Sequence, residues 1–99
     1  MTALLTAAEV GSALADLPDW TGDEQALRRT VTAADFPGAI RIVDRVAVIA
    51  EELDHHPDID IRWKTLTFAL TTHFKGGVTE RDVALAHRID DVLTRQEGA

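Results

Sequence analysis

Cysteine is absent from all 99 residues. Its absence excludes a disulfide framework, thiol nucleophiles and thiolate metal sites, and it suits a reducing compartment. Long apolar runs are missing too, since no stretch approaches the roughly 20 residues that would cross a bilayer. Met1 to Leu5 lacks the basic n-region and apolar core of a secretion signal. The expectation is a cytoplasmic protein with no membrane partner. Positive charge is scarce: 10 Lys and Arg stand against 17 Asp and Glu, for a net charge of −7. The bases are scattered among acids, whereas a nucleic-acid surface needs them gathered. Nucleic acid is a poor candidate for a partner. Aromatic residues make up only 5%. Repeats, low-complexity tracts and linkers are lacking, and the length fits one domain over residues 1–99.

What remains is an ordinary globular composition, 45% hydrophobic. A chain this short buries a modest core, which places any site between elements or at a subunit interface. Thr6-Ala7-Ala8-Glu9 reads as a capping box that opens a helix carrying Val10, Leu14 and Leu17, with Pro18 as its stop. A short strand near Trp20 and a second from Ala26 to Thr32 follow. From Asp35 to Asp54 the pattern is helical: Phe36, Ile40, Val43, Val46, Ala47, Ala50 and Leu53 recur at three and four, with Ile42 and Ile49 widening the stripe. Asp35 suits the cap and Pro37 the first turn. Ile59, Ile61 and Trp63 alternate with Asp58, Asp60 and Arg62, a half-buried strand that places Trp63 in the core. Leu66, Phe68 and Leu70 repeat the alternation, and His73 falls on the opposite, threonine-bearing side. After the loop Phe74 to Gly77, Thr79 caps a last helix with Val83, Ala86, Ile89, Val92 and Leu93 inward. The order α-β-β-α-β-β-α gives an α+β fold, an antiparallel sheet with helices packed on one face.

Chemistry gathers at histidines. His55, His56 and His73 lie at element boundaries, where side chains from different parts of a fold converge, and imidazole is suited to acid and base roles near neutrality. Glu51 precedes His55 by four positions, so on one helix it can orient that ring. His73 and Asp82 can pair similarly across the loop. A histidine ending a helix often serves only the macrodipole, but an adjacent pair with a third downstream goes beyond that. His87, among polar neighbours, reads as surface. A metal site is disfavoured: adjacent helical residues diverge by about 100°, and no helical two-histidine spacing or cysteine is available. Gly76-Gly77 is too weak a signal for a phosphate loop. Trp20, beside a turn, could wall a pocket for a flat ligand.

Glu51-x-x-x-His55-His56-Pro57, the aromatic Trp63, His73 and Asp82 together resemble the signature of the pterin-4a-carbinolamine dehydratases. Ala50 to Asp82 looks like that family's core, with Asp54, Thr72, Gly77 and Thr79-Glu80-Arg81-Asp82 in support. Trp20, Phe36 and Arg45-Val46-Ala47 extend the likeness over nearly the whole chain. The resemblance implies a four-stranded antiparallel sheet with three helices on one face. It implies dehydration of 4a-hydroxytetrahydrobiopterin to quinonoid dihydropterin, in recycling the pterin for aromatic amino acid hydroxylases, without metal or cofactor. It further implies that His55 and His73 are the acid–base pair, that His56 positions substrate, and that Glu51 and Asp82 orient the imidazoles. Asp54, His55, His56, Thr71, Thr72, His73 and Phe74 would line the pterin ring. Animal members have tryptophan where this chain has Ile59, so shielding of the pterin would fall to Ile59 or Trp20. Some relatives are dimerisation cofactors or assembly chaperones, so a scaffold stays as the alternative. The broad Phe36–Leu53 helix face suggests a homodimer or homotetramer.

Overall fold

A computed structural model of the chain describes residues 2–98, with side chains from 2 to 95. The elements follow the expected order: α1 (Ala7–Ala15), β1 (Thr21–Gly22), β2 (Leu27–Thr32), α2 (Phe36–Leu53), β3 (Asp58–Arg62), β4 (Thr65–Leu70) and α3 (Glu80–Gly98), with a 3-10 turn at His73–Lys75 before α3. The Thr6–Glu9 capping box is formed, and Asp35 caps α2 through the Gly38 N–H. All strand pairs are antiparallel, in the spatial order β1-β2-β4-β3.

Alternation along β4 decides which side of the sheet is dry. Leu66, Phe68 and Leu70 are completely buried beneath the helices, whereas Thr67 faces out and its hydroxyl meets that of Thr30. Leu27 lies opposite Leu70 in the register, so β2 closes the same core. The helices complete it with Ala39, Ile42, Val46 and Ile49 from α2 and Leu85, Ala86, Ile89 and Leu93 from α3. At about 25 cal/mol per Å², each large side chain of this set contributes roughly 2 kcal/mol by leaving water.

Two expectations about burial are corrected here. The inward stripe of α2 is rotated from the one the spacing suggested: Ile42 and Ile49 lie at its centre, while Phe36 remains 48% exposed and Ala47 faces solvent. Trp63 is no core residue. The strand ends at Arg62, Trp63 adopts φ 53°, and its ring is 72% exposed with the Lys64 ammonium 4.6 Å from the centroid. Alternation cannot be carried past the last residue of a strand. The other tryptophan, Trp20, is 4% exposed inside the core.

The segment after β4 is tied down from both sides. Thr72 and Gly77 form an antiparallel bridge across the turn, and the Val78 N–H bonds to the Glu24 carbonyl. Gly77 has to be glycine, because a Cβ there would stand 2.6 Å from the Glu24 oxygen. This staple fixes the segment between His73 and the start of α3 against the turn between β1 and β2.

Candidate active site

The site is assembled where α2 stops. Asp54 takes the left-handed conformation (φ 49°, ψ 46°), which short polar residues tolerate best after glycine. The His55 N–H then turns back to the Ala50 carbonyl at 3.0 Å, closing the helix end. This reversal throws the His55 ring across to α3. Its Nε2 lies 2.6 Å from Asp82 Oδ1, and Asp82 is fully buried. The second oxygen of Asp82 accepts from the Thr72 hydroxyl at 2.8 Å and the Thr79 N–H at 2.9 Å.

The carboxylate partners are therefore exchanged relative to the sequence reading. Glu51 meets His56, at 2.5 Å between Oε2 and Nε2 on the exposed rim, and not His55. Asp82 meets His55 and not His73. The expected pairing of Glu51 with His55 assumed that the helix continues through residue 55, whereas it ends at Leu53. His73 stands exposed on the 3-10 turn.

These residues surround a cleft of about 190 Å³ lined by Asp54, His55, His56, Thr71, His73, Phe74 and Arg81. Thr71 is oriented by its hydroxyl, which donates to the Gln25 carbonyl at 2.8 Å. Phe74, 69% exposed, offers the aromatic surface at this opening. Two residues expected at the ligand are elsewhere. Trp20 packs in the core and donates its indole N–H to Asp90 at 2.7 Å. Thr72 lies behind the cleft with its N–H given to Gly77 and its carbonyl accepting from both Lys75 and Gly76, so its backbone has nothing left for a ligand. Ile59 packs against the core and is not among the residues that line this cleft. His87 is exposed on α3, as read from its neighbours.

Arg81 was missed as a site residue. Its Nη2 donates to the Asp54 carbonyl at 2.8 Å, and its guanidinium carbon lies 5.8 Å from the Phe74 ring centroid. It thus braces the strained end of α2 and the aromatic wall together. The signal was available: a cation in the first turn of a helix opposes the macrodipole and calls for a compensating contact.

Among the described residues, no three His, Asp or Glu side chains are grouped to hold a metal ion. A larger depression of about 260 Å³ between β2 and the start of α2 has Arg41 as its one ionisable residue and contains no histidine or carboxylate. The three histidines are gathered at the smaller cleft.

Comparison with known proteins then decides the family. The family model described as Pterin 4 alpha carbinolamine dehydratase matches residues 3–92. The chain belongs to the pterin 4 alpha carbinolamine dehydratase family. A relative from Nocardia farcinica, provisionally named as this dehydratase, is 55% identical over 91 residues, covering 92% of this chain and 96% of its own. One from Mycobacteroides abscessus, named in the same provisional way, is 53% identical over 93 residues, covering 94% and 99%. Among solved structures, a transcriptional coactivator/pterin dehydratase from Brucella melitensis superposes with a TM-score of 0.87 at 32% identity, covering 91% of this chain and 98% of that one. A pterin dehydratase-like RuBisCO assembly factor of the alpha-carboxysome shares the fold at a TM-score of 0.60 and 22% identity, over 74% of this chain and 84% of that one.

Proposed function

We propose that this member of the dehydratase family converts 4a-hydroxytetrahydrobiopterin to quinonoid dihydropterin and water by histidine acid–base catalysis. The observation that carries the reading is the convergence of His55, His56 and His73 on one cleft, with a buried carboxylate behind His55. The reaction breaks the C4a–O bond, removes the proton from N5 and forms the C4a=N5 double bond. The departing hydroxyl leaves as water after taking a proton from an imidazolium, while a neutral imidazole takes the N5 proton. Asp82 behind His55 stabilises the imidazolium that proton capture creates, which suits His55 to the base role and leaves His73 as the acid. His56, held by Glu51, positions the pterin. Asp54, Thr71 and Phe74 supply its polar and aromatic contacts. No metal or organic cofactor is required in this scheme, and its place is cytoplasmic recycling of pterin for aromatic amino acid hydroxylases.

The reading includes a homodimer or homotetramer. Support comes from apolar groups that the monomer leaves in water: Phe36 and Val48 on α2, and Ile61 with Trp63 at the free edge of the sheet. Light scattering at micromolar protein should give a multiple of the chain mass, and a monomer alone would remove this part. A scaffold without catalysis is the second reading, favoured by the coactivator half of the Brucella protein's name. Incubation of purified protein with synthetic carbinolamine separates the two. Dehydration should proceed with a bell-shaped pH dependence and survive a chelator. No acceleration over buffer at any pH would leave only the scaffold.

A further inference from the structure

Thr72 and Thr79 are both 0% exposed, so neither hydroxyl is open to a ligand. Thr79 Oγ1 accepts from the Arg81 N–H at 3.2 Å and lies 2.7 Å from Thr72 Oγ1. Thr72 Oγ1 in turn lies 2.8 Å from Asp82 Oδ2. Proton order along this chain follows from valence. An ionised carboxylate has no proton to give, so Thr72 donates its single proton to Asp82. It must then accept from Thr79, whose proton is free because the Arg81 contact uses only a lone pair. Every proton has an acceptor, and the sequence runs from the α3 backbone through two hydroxyls to Oδ2. A proton on Oδ2 would reverse the chain and strand the Thr79 hydroxyl proton in the interior, a costly arrangement.

The remaining oxygen of Asp82 faces His55 Nε2. With Oδ2 taken up by the Thr72 hydroxyl and the Thr79 N–H, Oδ1 is the oxygen left to accept from His55 Nε2. From this we infer that Thr72, backed by Thr79, is a positioning residue for His55. Its hydroxyl holds the carboxylate with Oδ1 turned to the ring, which favours the imidazole proton on Nε2 and leaves Nδ1 as the nitrogen presented to substrate. A simple helix cap would not need it. Thr79 and Asp82 already close a reciprocal box at the start of α3, through the Arg81 N–H to Thr79 and the Thr79 N–H to Asp82. The Thr72 hydroxyl is additional to that box and is aimed at the carboxylate. The kinetic consequence rests on the dehydratase reading, whereas the tautomer does not.

Thr72→Val keeps the side-chain shape and deletes the hydroxyl. We expect kcat for the carbinolamine to fall on the order of tenfold with KM within about twofold, as when an orienting partner behind a functional histidine is lost. Ring-nitrogen NMR of His55 should change from a single Nε2–H form to a mixture of tautomers. Thr72→Ser should restore both properties. Thr30→Val, which removes a hydroxyl pair on the open face of the sheet, should alter neither. If valine prevents folding, Thr72→Ala deletes the same hydroxyl without a second buried methyl and carries the same expectations. Wild-type rate with an unchanged tautomer would overturn the inference. A reduced rate with the Nε2–H form intact would overturn it too, by making Thr72 a structural residue only. Should the wild type show no dehydration, the functional reading fails, and the His55 spectra still decide whether Thr72 directs the ring.

Discussion

Asp82 and Asp90 sit about two turns apart on α3, and each gathers donors from distant parts of the chain. Asp82 receives His55 and Thr72, while Asp90 receives Arg29 at 2.6 Å and Trp20 at 2.7 Å on the same oxygen. The two knots are built alike but differ in what they hold. Arginine and indole keep their protons at any ordinary pH, and Asp90 lines no cleft among those that bear histidine. Histidine exchanges its proton near neutrality, and His55 opens onto a cleft that two further imidazoles share. The same carboxylate device fastens the fold in one place and orients a titratable ring at the cleft in the other. Titratability and access, more than burial, separate the two.

The sharpest way to break this comparison is kinetic. His55→Ala or His73→Ala should each lower kcat on the order of 100-fold, the usual scale of lost general acid–base catalysis. Trp20→Phe, which removes a donor from the Asp90 knot, should leave kcat intact in the same assay. Comparable losses at both places would erase the distinction.

A stability measurement tests the other half. Asp90→Ala leaves the Arg29 guanidinium, with 11% side-chain exposure, without its close partner. Breaking a buried pair costs about 3–5 kcal/mol, but Asp90 is 25% exposed, so solvent screening brings the expected loss nearer ~2 kcal/mol. Urea unfolding should show that loss with kcat per folded molecule unchanged. Arg81→Gln should have a smaller and different effect. With one charge-assisted bond to the Asp54 carbonyl removed, KM should rise roughly fivefold, equivalent to about 1 kcal/mol, with a smaller change in kcat. An unaltered KM would mean that Arg81 does not shape the cleft.

A third carboxylate extends the comparison to the open surface. The backbone N–H groups of Gln25 and Ala26 hold the Asp23 carboxyl below its ordinary value of 3.8. A lowered value in the folded state means that the ionised form stabilises the fold above the unfolded value, and that this contribution is lost as pH falls through the folded one. Asp23→Ala should thus reduce the melting temperature slightly near neutrality, with the difference from wild type shrinking as pH falls below about 4. A constant difference down to strongly acid pH would remove the hydrogen bonds as its cause.

Much of this architecture was readable from periodicity and punctuation. The Thr6–Glu9 box, the Asp35 cap with Pro37 behind it, and the alternation of Leu66, Phe68 and Leu70 are local signals, and each formed as written. The three histidines at element boundaries also marked the cleft. What could not be read locally was pairing. Which carboxylate reaches which imidazole depends on one residue, Asp54, taking a left-handed conformation that ends α2 before the histidines. The partner of His55 then comes from 27 positions away. Tryptophan was misjudged in both directions for a related reason: a large aromatic suits a core and a pocket equally well by composition. Only the chain reversal at Trp63 and the acceptor waiting at Asp90 decide between them.

The two tryptophans also divide the protein optically. There is no tyrosine, so emission excited beyond the phenylalanine band belongs to Trp20 and Trp63 alone. Trp20, enclosed and bonded to Asp90, should emit toward the blue and disappear as a separate component on unfolding. Trp63, in water with a lysine over its ring, should emit toward the red and yield to soluble quenchers. Neither ring lines the histidine cleft. One chromophore therefore watches the integrity of the core and the other watches whatever approaches the sheet edge, while events at the histidines need a reporter of their own.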